Sequence, residues 1–263
     1  MWQILKNRLQ QGYRTCRYPK EEPVFPPRFR GRPILKSGSP ALTASAQASQ
    51  SGIDQVQKVK DPTGALSFRG GLTVDAGKLL FNEDIKQALP PGVFEYSTDY
   101  RMAVSKPEDL LIKTGDELKL ASALSEKMRR LFGRSLKLRE VCAGSCNGCD
   151  SEIQALGNVV FDLSMFGIQF VASPRHADGL MITGPVTKNM ELALKKTYEA
   201  VAEPKIVIAA GACALSGGPF CGSSEVNDGI KDLIPVDLYI PGCPPHPFTI
   251  LDGLLRLLGR LER

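Results

Sequence analysis

The sequence predicts an α/β protein whose C-terminal half carries a mostly parallel sheet, with a smaller α+β region ahead of it. Three observations lead there. From residue 136 onward, short apolar runs alternate with segments of helical periodicity. The run 205–210 (KIVIAA) is almost continuously apolar, as a parallel strand buried on both faces must be. Turn residues then close the runs, with Gly211 after KIVIAA and Pro241-Gly242 after VDLYI.

Taken in order, residues 1–40 are basic and Pro-rich, and 41–56 are Ala/Ser/Gln-rich, a loop or weak helix. Residues 57–112 read as short strands broken by Gly and Pro, with a turn at Pro90-Pro91-Gly92. An amphipathic helix is predicted over 116–132, from Leu118, Leu124, Met128 and Leu131, with Gly133 as its stop. In the C-terminal half, strands are predicted at 136–142, 168–172, 180–183, 205–210 and 236–240. Helices are predicted at 151–165, from the Thr187 cap to Val201, and at 248–261. The division is therefore 1–112, a linker helix at 113–135, and a second domain at 136–263.

The 263 residues are 43% apolar, enough to build a core. No run approaches the roughly 18 apolar residues of a membrane-spanning helix, and the first residues lack a signal peptide's apolar stretch. The expectation is a soluble cytoplasmic protein, peripheral on the inner membrane through its partners. Of the +5 net charge, the surplus is uneven: residues 1–40 hold nine Lys/Arg against Glu21 and Glu22. Such an arm can meet nucleic acid, anionic lipid or an acidic protein. The plain expectation is a solvated tail docked on a neighbouring protein, with no nucleic acid involved.

Seven cysteines, an odd count, argue against a disulfide framework and for metal or redox chemistry. Cys146-Asn147-Gly148-Cys149 follows the first predicted strand of the second domain, Cys213 follows 205–210, and Cys243 follows 236–240. Three parallel strands thus deliver four thiols beyond their carboxyl ends, the edge where such sheets bind ligands. Four converging thiolates fit the ligation of a [4Fe–4S] cluster. Gly144, Gly148, Gly211 and Gly242 would let the backbone approach its sulfurs. A Cys₄ zinc site usually pairs two C-x-x-C knuckles, and only one is present; a redox dithiol would use Cys146 and Cys149 alone. Spacing leaves these three readings open, together with that of buried structural cysteines. Cys16, Cys142 and Cys221 have no ligand position, and the glycines at 211–218 lack a nucleotide-loop pattern.

The stretches AGSCNGCDSEI (143–153), FGIQFVASPRHADGLMITGPVTKNM (166–190), IVIAAGACALSGGPF (206–220) and VDLYIPGCPPHP (236–247) resemble the family of the NADH-quinone oxidoreductase B subunit and the small subunit of membrane-bound [NiFe] hydrogenases. The Cys-Asn-Gly-Cys spacing is more similar to the hydrogenase branch, formate-hydrogenlyase-like. The resemblance implies a flavodoxin-like sheet in which Cys146, Cys149, Cys213 and Cys243 hold one [4Fe–4S] cluster. It further implies an electron-transfer subunit next to a [NiFe]-type or complex I-type large subunit, with ferredoxin-like and membrane-arm subunits nearby. It also suggests a proton-path or interface role for Glu152. Arg175 and His176 are expected near the ligand-bearing edge, Arg175 raising the cluster's potential and His176 coupling a proton to the electron. His246 is expected to be packing rather than a ligand. The competing expectation is a structural or assembly module with no electron-transfer role.

Residues 1–112 resemble, less closely, the ferredoxin-like subunit of the same hydrogenases. The resemblance is carried by the basic opening, Tyr18-Pro19, FRGRP (29–33), TGAL (63–66) and YSTDYRMAVSKPEDL (96–110). The two stretches that bind clusters there correspond to 39–51 and 77–91, which contain no cysteine. A degenerate module kept as scaffold is the expectation.

Overall fold

The computed structural model describes residues 2–12, 14–36, 61–67, 72–89 and 91–261. The expected loop or weak helix at 41–56 lies outside them. The N-terminal region opens with helix α1 (Trp2–Gln11) and contains two small antiparallel sheets. Strand β1 (Pro33–Leu35) pairs with β4 (Phe94–Tyr96), and β3 (Thr73–Asp75) lies between β2 (Leu66–Ser67) and β5 (Leu111–Lys113). A short helix α2 (Asp84–Ala88) precedes β4.

Helix α3 (Glu126–Phe132) is much shorter than the 116–132 helix expected. From 118 to 124 the backbone bonds elsewhere: the Ala121 amide donates to the Ala103 carbonyl (2.8 Å), and the Leu124 amide to the Leu257 carbonyl (2.9 Å). Leu118 and Ala121 are buried by that extended path rather than by a helical face. Helix begins only where Ser125 caps it, its Oγ accepting from the Met128 amide.

The C-terminal half forms one five-stranded sheet from β6 (Leu136–Cys142), β7 (Ile168–Phe170), β8 (Gly179–Thr183), β9 (Ile206–Ala210) and β10 (Leu238–Ile240). All pairings are parallel and the order is β10-β9-β8-β6-β7, the flavodoxin-like 2-1-3-4-5 arrangement. The connecting helices are α4 (Gly148–Ala155), α5 (Lys188–Ala200) and α6 (Ala212–Ser216), with α7 (Pro247–Leu257) last. The 151–165 helix splits because Asn158 turns the chain. Its Oδ1 accepts from the Val160 and Phe161 amides, and Asp162 then takes a left-handed φ of 42°.

Alternation along the strands divides the core in two. Leu136, Leu138, Met181, Ile206, Ile208, Ala210 and Ile240 pack with Ile153 and the apolar side chains of α7. Val141, Leu180, Ile182, Val207, Ala209 and Tyr239 join Leu194 of α5 and N-terminal residues such as Leu35, Val74, Phe94 and Ile112. The N-terminal region also covers the sheet's edge: Val104 and Tyr239 exchange both backbone hydrogen bonds at 2.9 Å, antiparallel.

Candidate metal centre

The strand ends determine where the thiols go. Beyond β6, Asn147 adopts a left-handed φ of 70° and α4 begins at Gly148. Helix therefore starts inside the Cys-x-x-Cys motif, turning Cys149 inward while Cys146 stays exposed. Beyond β9, Gly211 (φ 92°) leads into α6, which carries Cys213. Beyond β10, Gly242 (φ 147°) precedes Cys243. The last two turns are tied together: the Gly211 amide donates to the Ile240 carbonyl and the Ala212 amide to the Gly242 carbonyl, each at 2.8 Å.

The four sulfurs share one small region. A Cβ built on Gly211 would collide with Cys149 Sγ, one on Gly218 would lie 2.8 Å from Cys213 Sγ, and one on Gly148 3.6 Å from Cys146 Sγ and 3.8 Å from Pro244. Burial pushes the Cys149 thiol up to about 12, and the charges of Cys213, Cys243, Asp150 and Cys146 add to it. Cys213 is pushed up to about 11 by burial and then by Cys243 and Cys146, and Cys243 is raised by burial and Cys146. Each thiolate therefore disfavours the others, a repulsion relieved either by protonation or by bound positive charge. Among the described residues, no three Cys, His, Asp or Glu side chains are gathered tightly enough to share a single metal ion.

The other expected site residues divide. Glu152 lies on α4, one turn beyond Cys149, and its half-buried carboxyl is raised by burial. Arg175 and His176 are exposed in the turn Pro174–His176. That turn enters β8 at its amino end and packs on α5, whereas the thiols follow carboxyl ends. The structure does not bring these two to the cysteines. Asp178 spends its carboxylate on the Lys137 amide (2.7 Å) rather than on Arg175. His246 is an internal packing residue. Its Nδ1 accepts from the Phe248 amide at the start of α7 (3.1 Å), its ring lies among Phe25, Phe29, Phe161 and Phe248, and burial lowers its pKa.

A buried polar group beside the thiols was missed by sequence reasoning. Asp150 accepts from Thr183 Oγ1 (2.6 Å) and from Ser145 Oγ. Burial pushes its carboxyl up, but hydrogen bonds with Ser145, Thr183, Cys142 and Glu140 more than offset that, leaving it below the ordinary range. Burial, and then the Asp150 charge and hydrogen bond, lift Glu140 to about 7. Glu140 Oε1 is buried with no hydrogen-bond partner. Only Asp150, next to Cys149 in the chain, could have been singled out from sequence; its contact with Glu140 and Thr183 depends on β6 lying beside β8.

Residues 146–257 match the family model described as NADH ubiquinone oxidoreductase, 20 Kd subunit. The chain is 46% identical over 134 residues to a probable membrane-bound hydrogenase subunit mbhJ of Pyrococcus furiosus, covering 51% of this chain and 80% of that one. It is 45% identical over 133 residues to the NADH-quinone oxidoreductase B subunit of Phocaeicola vulgatus (50% of this chain, 66% of that one). To formate hydrogenlyase subunit 7 of Escherichia coli it is 43% identical over 142 residues (54% and 56%). The family resemblance carried by the cysteine-bearing stretches is therefore the right one, and the chain belongs to the NADH ubiquinone oxidoreductase 20 kDa subunit family.

Proposed function

We propose that Cys146, Cys149, Cys213 and Cys243 hold one [4Fe–4S] cluster, and that the chain relays electrons as a subunit of a membrane-associated hydrogenase-like or complex I-like oxidoreductase. One observation carries the reading. Four thiols from the carboxyl ends of three parallel strands lie within electrostatic reach of one another, two buried and two exposed. The donor set fits: all four are thiols, the ligand type iron–sulfur clusters require.

When bound, the cluster supplies storage for one electron at a time. The chain's own part is positional. Gly211 and Gly218 admit backbone next to the sulfurs, Cys149 and Cys213 shield one side from water, and Cys146 and Cys243 remain at the surface. Cys146 and Cys243, exposed beyond their strand ends, leave their side for a covering subunit. The named relatives are subunits of a membrane-bound hydrogenase, an NADH-quinone oxidoreductase and a formate hydrogenlyase, which supports another subunit of such an assembly as that cover. We assign that place to a [NiFe]-type or complex I-type large subunit, with ferredoxin-like and membrane-arm subunits nearby. Glu152, on the ligand-bearing helix, is assigned to that interface. The N-terminal region, lacking cluster cysteines at 77–91, serves as a ferredoxin-like scaffold.

The test is anaerobic reconstitution of the full chain, with iron, sulfide and zinc analysis and electron paramagnetic resonance. The reading expects about four irons per chain and an S = 1/2 signal on reduction. Cys213→Ser and Cys243→Ser should lose both, while Cys142→Ser and Cys221→Ser keep them. Tightly held zinc without iron, or full iron content in Cys243→Ser, refutes it.

A further inference from the structure

The first helix is not accounted for by the metal centre. No residue of α1 is buried: Trp2, Leu5 and Leu9 are 78%, 54% and 84% exposed. Spaced i, i+3 and i+7, these three form one apolar stripe, flanked by Lys6 and Arg8. Arg14, Arg17 and Lys20 follow before the first acidic residues, Glu21 and Glu22, and Arg17 pairs with Glu21 at 3.1 Å. Gly12, at φ 64°, ends the helix. The chain is then pinned to the body, where Thr15 Oγ1 donates to the Val159 carbonyl and the Cys16 amide to the Val160 carbonyl, both at 2.8 Å. That loop itself exposes Val159 and Met165.

We propose that α1 lies flat in the headgroup region of an anionic lipid surface, so that the chain touches the membrane directly as well as through partners. A ten-residue helix is marginal in water on its own, and the chain buries none of this one. An interfacial helix needs an apolar stripe, cations beside it and preferably a tryptophan at headgroup depth, and all three are present. Ten residues of helix span about 15 Å, half the apolar thickness of a bilayer, so the contact is superficial. Two copies meeting through α1 would set like cations against one another. Anionic lipid meets the charge, and being fluid it needs no matching groove. The inference is independent of whether the four thiols hold a cluster.

Trp2 is the chain's single tryptophan, so emission reports on this helix alone. The full-length chain is mixed with vesicles of phosphatidylglycerol and phosphatidylcholine, or of phosphatidylcholine alone, and followed by Trp2 emission and sedimentation. A blue shift and co-sedimentation with the anionic vesicles only, reversed by high salt, are expected. Leu5→Glu with Leu9→Glu, and Lys6→Glu with Arg8→Glu, should each weaken partitioning by about tenfold or more. Their unfolding midpoints should match the parent's, because the sites are exposed. Trp2 emission that stays water-like with anionic vesicles overturns the proposal. So does equal binding to both vesicle types, or a blue shift that rises with protein concentration in the absence of lipid.

Discussion

Two glycines, one against a thiol and one facing open space, show what decides tolerance at a single residue. Gly211 and Gly222 both have positive φ, 92° and 80°, so an alanine at either bears a similar backbone cost of about 1 kcal/mol. Space separates them. A Cβ at Gly211 meets Cys149 Sγ, whereas one at Gly222 has nothing within 4 Å. Gly211→Ala should therefore lose most of the bound iron, measured per folded chain, while Gly222→Ala keeps it at slightly reduced stability; equal iron in both variants defeats the assignment. Glu140 makes a prediction in pH. Its folded pKa of about 7 lies above the unfolded value of roughly 4.3, so between them the folded chain holds a proton the unfolded chain releases. That stability is complete below pH ~4 and is lost as pH rises through 7. The carboxyl is only half-buried, and water screens part of the effect, which leaves on the order of 1 kcal/mol. Denaturation from pH 5 to 8 should show this decline in the parent and a flatter profile in Glu140→Gln; parallel profiles exclude it.

At the scale of elements, the legible parts were those whose burial imposes a local pattern: continuous in the 206–210 strand, alternating in the 136–142 strand and one-faced in the 188–200 helix. The strand expected at 205–210 is β9, the one expected at 136–142 is β6, and the helix expected after Thr187 runs Lys188–Ala200, although the Thr187 side chain makes no capping hydrogen bond. Positions of Cys146, Cys149, Cys213 and Cys243 beyond strand ends followed from the same pattern, since parallel topology makes distant carboxyl ends neighbours. What failed did so for nonlocal reasons. The spacing of Leu118 and Leu124 mimics a helix, but the segment bonds to Ala103 and Leu257, partners that sequence does not reveal. Asn158 reads as tolerable within a helix until its side chain takes two amides and turns the chain. The sequence SPRHAD suggested a functional loop through its charges, yet whether a loop lies at the amino or carboxyl end of a strand depends on where the strand begins. Here β8 starts at Gly179, just after it, which sends Arg175 and His176 away from the thiols. Helix α6 is five residues long, too short to announce itself by period.

For the molecule as a whole, the N-terminal region braces the elements that carry the thiols. Ser216 Oγ, at the end of α6, donates to the Gly77 carbonyl at 3.2 Å. Phe25 and Phe29 pack edge-on against His246, three residues beyond Cys243, with ring centroids 5.1 and 5.6 Å away. Tyr18 donates to Asp252 on α7 at 3.0 Å, where Asp252 also holds Arg256 in a buried ion pair at 2.7 Å. Both hydrophobic clusters draw on residues from before and after residue 113. Removing residues 1–112 would uncover Tyr239 and the β10 edge, and would strip neighbours from Phe248. Each large side chain returned to water costs about 1.5–3 kcal/mol, against a total stability of roughly 5–15 kcal/mol. A few such losses equal the whole margin, and an uncovered strand edge invites aggregation. The full chain should therefore unfold in one cooperative step by calorimetry, and fragment 136–263, though it contains all four thiols, should be insoluble or melt far lower. A soluble fragment with the parent's melting temperature and iron content would mean that the N-terminal region merely rests on the sheet, and that the thiols are positioned by the sheet alone.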